Sequence, residues 1–566
     1  MVTRNQKYLR SSSGLVSAAV PEGTEAGAQV LREGGNAVDA AITAAAAVAV
    51  AEPQSSGFGG YGGAMLAYLA ATGETVCVSF HARAPEAARD GMFELERIAD
   101  GEMHARDAEN RLGPRACGIP SILAGHALAL ERFGTISLAR ALEPAVELCE
   151  RGVANPTTIA AIEGSADLIR RFPATEAILM PGGEPPAPGR PLVQTDLALV
   201  LREVQKDGPA AFYEGRVADL MDAYMRESGG AMRKDDWARH DLAAVETPLA
   251  VRYRNWDVCT TPECTGGPTL AQILRLARHL ELHREDRLSA QYAHLLAEAM
   301  KTAWRDRLGR FGDPDFCDCD LERLLADERL VAQATEILGR QTVADDPDED
   351  FWREDGGCTT HVGAADKWGN LVALTQTHGT SFGCGVTIPG TGIILNNAMS
   401  RFDPRPGRPN SVGSGKRVLH NMAPALVLKG GKALYSLGLP GGRKIPSVVA
   451  QYVMELLDRG GAPLDAIWSA KLHAEACEPV LLEGDRMTEA AFAAEENHYA
   501  EADFSLAGGK KRGWPPFTAQ DLEARGHDVR FVPVLGGTGH VVRINTLLKL
   551  VEAANGPYGD GHIVAA

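Results

Sequence analysis

Between residues 22 and 52, apolar side chains recur at helical spacing through Ala26, Val30, Leu31, Val38 and Ile42. Gly34-Gly35 breaks the run, and Asn36 is placed to cap its second half. This predicts a helix pair. The alanine-rich stretch 40–51 reads as a buried helix, too short for the roughly 20 residues that cross a bilayer. A glycine-rich turn at 55–63 leads into strand-like runs at 64–69 and 75–80 around Gly73. From 117 to about 344 the pattern predicts mostly helix, at 122–133, 138–151, 197–205, 217–228, 269–282 and 290–308. The proline- and glycine-rich segment 181–190 reads as a surface loop, and the acidic segment 345–357 as a solvated linker. After the linker the period changes to two. Strands are predicted at 359–365, 371–377, 392–395, 423–428 and 433–437, then a helix at 443–457 and a polar insertion at 485–516.

Charge narrows the function classes. The 566 residues carry 57 Lys and Arg against 74 Asp and Glu, a net −17, which disfavours partners such as nucleic acid or a membrane surface. With 45% hydrophobic and 23% charged residues the chain can bury a large core. The first twenty residues lack the apolar run of a secretory signal, which predicts a cytoplasmic protein. Ten scattered cysteines show no CxxC spacing and read as buried free thiols. Gly57, Gly59 and Gly62 spell GxGxxG, but a helix precedes the string and a strand follows it, the reverse of a dinucleotide fingerprint. Close backbone packing is the better reading.

The chemistry concentrates in the hairpin at 359–377. If Asp366 faces Asn370 across a three-residue loop with Gly369 in the left-handed position, the register sets Thr359 opposite Thr377. By itself such a threonine pair is usually structural. However, Thr359-Thr360-His361 followed by Asp366-Lys367-Trp368-Gly369-Asn370 resembles the maturation site of the γ-glutamyltranspeptidase family of N-terminal-nucleophile hydrolases. Further matches are Gly35 to Ala41, Ser55 to Gly60, Asp313-Pro314-Asp315, Leu395-Asn396-Asn397, Met422-Ala423-Pro424 and Pro440-Gly441-Gly442.

The resemblance implies an α+β fold, the four-layer αββα sandwich. It also implies self-cleavage before Thr359 into fragments 1–358, helix-rich and ending in the acidic linker 345–358, and 359–566, sheet-rich, held together as a heterodimer. A dimer of such pairs is compatible with the sequence. The freed α-amine, with a pKa near 8, would serve Thr359 as base, and Thr377 would orient its hydroxyl. The amides of Gly441 and Gly442, before a helix, would form the oxyanion hole. No cofactor or metal is expected.

The substrate-binding places depart from the family pattern. His81 stands where the family has an arginine, with Arg83 two residues on. Arg401 replaces the acid that binds the substrate amine, and Ala398 a polar neighbour. His420-Asn421 replaces a Ser-Ser pair, and Gly379 the polar residue two after Thr377. An ammonium ~4 Å from a guanidinium is repelled by ~4 kcal/mol at an effective dielectric of ~20. His81, Arg83, Arg401, His420 and Asn421 are therefore candidates to bind an anionic small-molecule amide without the amine, with surface salt bridges as the other reading of the charged positions. A short segment at 410–417 predicts a more open cleft. Cys358 is the alternative nucleophile, and His361 reads as a structural hydrogen-bonder. A genuine γ-glutamyl hydrolase or transpeptidase and a catalytically silent binding protein are the competing functions.

Overall fold

The computed structural model describes residues 7–97, 103–339, 342, 358–484, 513–556 and 561–566. The linker and most of the polar insertion lie outside these residues. Two seven-stranded antiparallel sheets form the centre. One runs His562–Ala565, Gly14–Ala18, Cys358–Asp366, Leu371–Gly379, Gly62–Leu69, Glu74–His81, Ala243–Glu246. The other runs Tyr8–Ser11, Leu550–Asn555, His540–Asn545, Lys432–Gly438, Ala425–Lys429, Trp256–Thr260, Leu249–Tyr253.

Strand alternation builds three cores from these sheets. Val362, Val372 and Leu374 face the helices Ala37–Ala51, Ile122–Phe133 and Leu138–Arg151. Their neighbours Ala365, Leu371 and Ala373 face the second sheet, meeting Leu426, Val542 and Ala553. That sheet's other face packs through Val427, Leu437 and Val541 on Gly267–His279, Ala290–Arg310 and Lys444–Asp458. The expected αββα sandwich is the result.

The start of the helix Ala37–Ala51 is set by local chemistry. Asn36 and Asp39 form a capping box on Ala37–Ala51, and every residue of that helix is buried. The Ala37 amide also donates to the Asp366 carboxylate at 2.9 Å, tying this helix to the 366–370 turn. Among the described residues, no helix is long and apolar enough to cross a membrane.

The division into a helix-rich front and a sheet-rich back is softer than the pattern predicts. Seven of the fourteen strands precede Cys358, so both sheets draw on both halves of the chain. Three of them, Ala243–Glu246, Leu249–Tyr253 and Trp256–Thr260, lie inside the stretch expected to be mostly helical. They are only four or five residues long, and the tight turn at Arg254, with φ of 54°, joins the last two.

Candidate active site

Thr359 lies at the start of a central strand, on the face that looks toward the second sheet. The register predicted from the turn holds from Thr360↔Gln376 inward, then slips at Cys358↔Gly379. Thr359 sits in that irregularity, facing Thr377 and His378 together. Such bulges re-aim side chains where a ladder ends. Its hydroxyl donates to Thr377 Oγ1 at 3.1 Å. Thr377 Oγ1 in turn donates to the Cys358 carbonyl and accepts from the Gly379 amide at 2.8 Å. One threonine thus touches the candidate nucleophile and the carbonyl of the peptide bond preceding it. The Cys358 thiol rests 3.3 Å from Ser55 Oγ, and burial pushes its pKa up to about 11, away from a reactive thiolate.

The glycine string supports this end of the strand. The Tyr61 amide donates to the Thr377 carbonyl at 3.0 Å. A Cβ on Gly60 would lie 2.8 Å from that same oxygen, and one on Gly57 would lie 2.6 Å from His378 Nε2. Close packing, as expected, is what these glycines allow.

His361 is fully buried and shares a 2.8 Å hydrogen bond with Thr375 Oγ1. Burial holds its pKa well below the ordinary range, with His540 adding to the effect. Its ring fills the place a side chain at Gly438 would take. This contact registers the two sheets two residues in from Thr359 and three residues before Gly441. Gly441 packs on Gly536, where an added Cβ would meet the Gly536 Cα at 2.8 Å. Lys444 N–H donates to Gly441 O and Ile445 N–H to Gly442 O, which opens the helix Lys444–Asp458. Among the described residues, the Gly441 and Gly442 amides themselves donate to no protein acceptor. They are partly exposed donors at a helix start, as an oxyanion site requires.

Arg443, the residue after these glycines, lines a cleft that opens to solvent. It is lined by Arg307, Arg401, Arg405 and Arg443 against one acid, Asp403, with Trp304 and Asn421 among its other walls. Arg401 is 2% exposed, stacks over Tyr61 at 5.7 Å and remains a cation although burial lowers its pKa. A Cβ at Gly379 would sit 2.1 Å from Asn397 Oδ1 and 3.2 Å from the Arg401 guanidinium. Two of the sequence's departures are therefore one: position 379 is bare where Asn397 and Arg401 fill the space.

The other predicted binding residues separate. His81 and His420 stack at 4.6 Å, Tyr61 borders His420, and burial keeps both histidines neutral. Asn421 Oδ1 accepts from Arg307 at 2.8 Å. Arg83 points elsewhere, to the Gly415 carbonyl at 3.0 Å and the Asp241 carboxylate at 3.1 Å. That matches the salt-bridge reading of this position. The 410–417 loop is tied down by Lys416, whose ammonium donates to Pro409 O and Ser411 O, and by the Arg417–Asp313 pair. Arg307, which also donates to the Thr265 and His420 carbonyls, and Arg443, paired with Glu475 at 2.7 Å, carry no motif. Only the helical spacing that puts Arg307 on the same side as Trp304 hints at the former.

Two antiparallel sheets between helical layers, with a hydroxyl residue at the head of a central strand, define an N-terminal-nucleophile hydrolase. Residues 23–566 match the family described as gamma-glutamyltranspeptidase, and the chain belongs to that family. The acylase ACY 1 proenzyme of Pseudomonas sp. strain V22 is 36% identical over 480 residues, 84% of each chain. The glutathione hydrolase proenzyme of Escherichia coli strain K12 is 30% identical over 549 residues, 94% of this chain and 89% of that one. The structure of the cephalosporin acylase from Bacillus halodurans aligns with a TM-score of 0.83 at 25% identity, over 99% of this chain and 97% of the other. The chain is thus an active, autoprocessed amidohydrolase related to acylases and glutathione hydrolases, which sets aside the silent binding protein.

Proposed function

We propose that the chain cuts itself between Cys358 and Thr359 and that the freed threonine hydrolyses amides whose acyl group ends in a carboxylate. In the first step Thr359 Oγ1 attacks the Cys358 carbonyl carbon, with Thr377 donating to the carbonyl oxygen; the C–N bond breaks, the hydroxyl proton passes to the Thr359 nitrogen, and water then opens the resulting ester to the Cys358 carboxylate and the free hydroxyl. Fragments 1–358 and 359–566 stay together through their shared sheets. In turnover the new α-amine takes the Thr359 hydroxyl proton and passes it to the leaving amine. The Gly441 and Gly442 amides hold the oxyanion, and water releases the acyl group.

The observation that carries the substrate class is the cleft lined by four arginines, of which Arg405 is paired with Asp403 and Arg443 with Glu475, and Arg401 in particular. A carboxylate gains from that field, whereas an α-ammonium near Arg401 loses up to ~4 kcal/mol, or ~10³-fold in rate. The second reading is a γ-glutamyl hydrolase or transpeptidase that binds its substrate through other groups. The relatives favour it by name, since glutathione hydrolases of Escherichia coli and Bacillus subtilis stand beside the acylases. Matured protein assayed with a glutaryl anilide and a γ-glutamyl anilide, which differ only in the ammonium, separates the two. Faster turnover of the glutaryl compound is expected. Equal or faster turnover of the γ-glutamyl compound would reject the first reading in favour of the second.

A further inference from the structure

The turn that follows the helix Ala290–Arg310 carries two cysteines one residue apart. Cys317 Sγ and Cys319 Sγ lie 3.1 Å from each other, inside the contact distance of two sulfurs. Each also rests on a carbonyl of the same turn, Cys317 on Asp313 O and Cys319 on Gly312 O, both at 3.4 Å. Cys317 is partly exposed and Cys319 is buried at 6%. Neither belongs to a helix or strand, so the backbone is free of ladder hydrogen bonds that would hold the sulfurs apart. The buried pair Cys117 and Cys384, 3.3 Å apart, offers an internal contrast. Burial pushes Cys117 well above the ordinary thiol range, and neither sulfur reaches solvent.

We propose that Cys317 and Cys319 are a reversible redox pair, closed to a disulfide by a peroxide. The Cys319 thiolate attacks one peroxide oxygen: an S–O bond forms, the O–O bond breaks, and the leaving hydroxide takes a proton to become water. Cys317 sulfur then attacks the sulfenic sulfur, so that an S–S bond forms, the S–O bond breaks, and a second water leaves with the Cys317 proton. The two sulfurs together lose two electrons, which the peroxide gains. The hydrogen bond from Cys317 brings the Cys319 thiol down to about 7, which suits it as the attacking sulfur. A one-residue spacer closes a very short loop, whose entropic stabilisation is small, so the bond is regulatory in kind rather than structural.

The turn is wired to the cleft. Asp313, wholly buried, receives the Arg417 amide at 2.7 Å and its guanidinium at 2.7 and 2.9 Å. Two and four residues beyond Arg417 stand Leu419 and Asn421, both in the cleft wall. Tightening the turn moves this clamp, and the effect expected is on substrate affinity.

The test treats full-length protein with hydrogen peroxide, alkylates it under denaturing, non-reducing conditions and maps the peptides. The peptide holding Cys317 and Cys319 is expected to lose two hydrogens, take no alkyl group and revert with dithiothreitol, while Cys117 and Cys384 stay alkylatable. Continued alkylation of Cys317 and Cys319, or their conversion to sulfinic acids, overturns the proposal. In Cys317→Ser protein, Cys319 should stop at a sulfenic acid trapped by dimedone; an undiminished two-hydrogen loss would show that another cysteine closes the bridge. Identical KM and kcat for the oxidised and reduced enzyme would overturn the link to the cleft.

Discussion

Replacing Thr377 by valine keeps the branched shape and deletes one oxygen that makes three hydrogen bonds. Two of these touch reacting atoms, the Thr359 hydroxyl and the Cys358 carbonyl. The third satisfies the Gly379 amide. At about 1–1.5 kcal/mol for each neutral hydrogen bond, the first two amount to about 2–3 kcal/mol of lost barrier lowering. That corresponds to self-cleavage slowed ~30- to ~160-fold. The buried Gly379 N–H, left without an acceptor, costs about 1–3 kcal/mol of stability. Maturation is followed by denaturing electrophoresis over time, with a Thr359→Ala chain as the uncut reference and Thr377→Ser as the rescue. Thr377→Ser restores the hydroxyl and should mature close to the parent rate. If Thr377→Val protein, shown folded by its thermal midpoint, matures within about threefold of the parent, the bridging role assigned to this hydroxyl is wrong.

Gly441→Ala sets a Cβ against the Gly536 Cα and displaces the two amides proposed as the oxyanion hole, so kcat should fall by ~10²-fold with KM little changed; an unaltered kcat in steady-state assays refutes the assignment. Acid should unfold the protein steeply. Burial holds His81, His378 and His540 at about 3 and His126 at about 4, against ~6.5 unfolded, so below pH ~6.5 the unfolded chain binds protons that the folded one does not. Each histidine therefore removes up to ~1.4 kcal/mol per pH unit on the way down, and denaturant midpoints flat between pH 6.5 and 4.5 would contradict their neutral burial. Gly379→Ser forces a Cβ onto Asn397 Oδ1 at a φ of 108°, and the expected result is loss of soluble, maturing protein; a normal yield of cleaved enzyme would show that the Asn397–Arg401 packing is not as described.

How far the chain reveals itself depends on whether a feature is local. The helices Ile122–Phe133 and Leu138–Arg151 follow from amphipathic periodicity residue for residue, because each exposes one face. The Thr359–Thr377 contact follows from a turn, Gly369 at φ of 93°, and a period of two. The bulge at Cys358 does not follow, since it arises where the strand runs past the Ser55 loop. The strands at 249–253 and 256–260 hide because they are short, and although they pair with each other, the second joins the sheet only through Ala425–Lys429, 165 or more residues away. The cleft hides for the same reason. Arg307, Arg401 and Arg443 meet only through tertiary packing, and no spacing in the sequence joins them.

Arg401 shows how a local departure acquires meaning from its surroundings. A buried guanidinium is costly unless its charge is met. Tyr61 supplies a ring face beneath it, and the missing side chain at Gly379 supplies room beside it. Tyr61 belongs to the same glycine-rich turn that supports Thr377, so the residue that steadies the cation is fixed by the element that steadies the hydroxyl pair. The charge proposed to set specificity and the proposed catalytic end of the strand thus share one scaffold. A change of acyl preference in this chain has to be accommodated at 61, 379, 397 and 401 together, because altering 401 alone leaves a cavity lined for a cation and filled by something else.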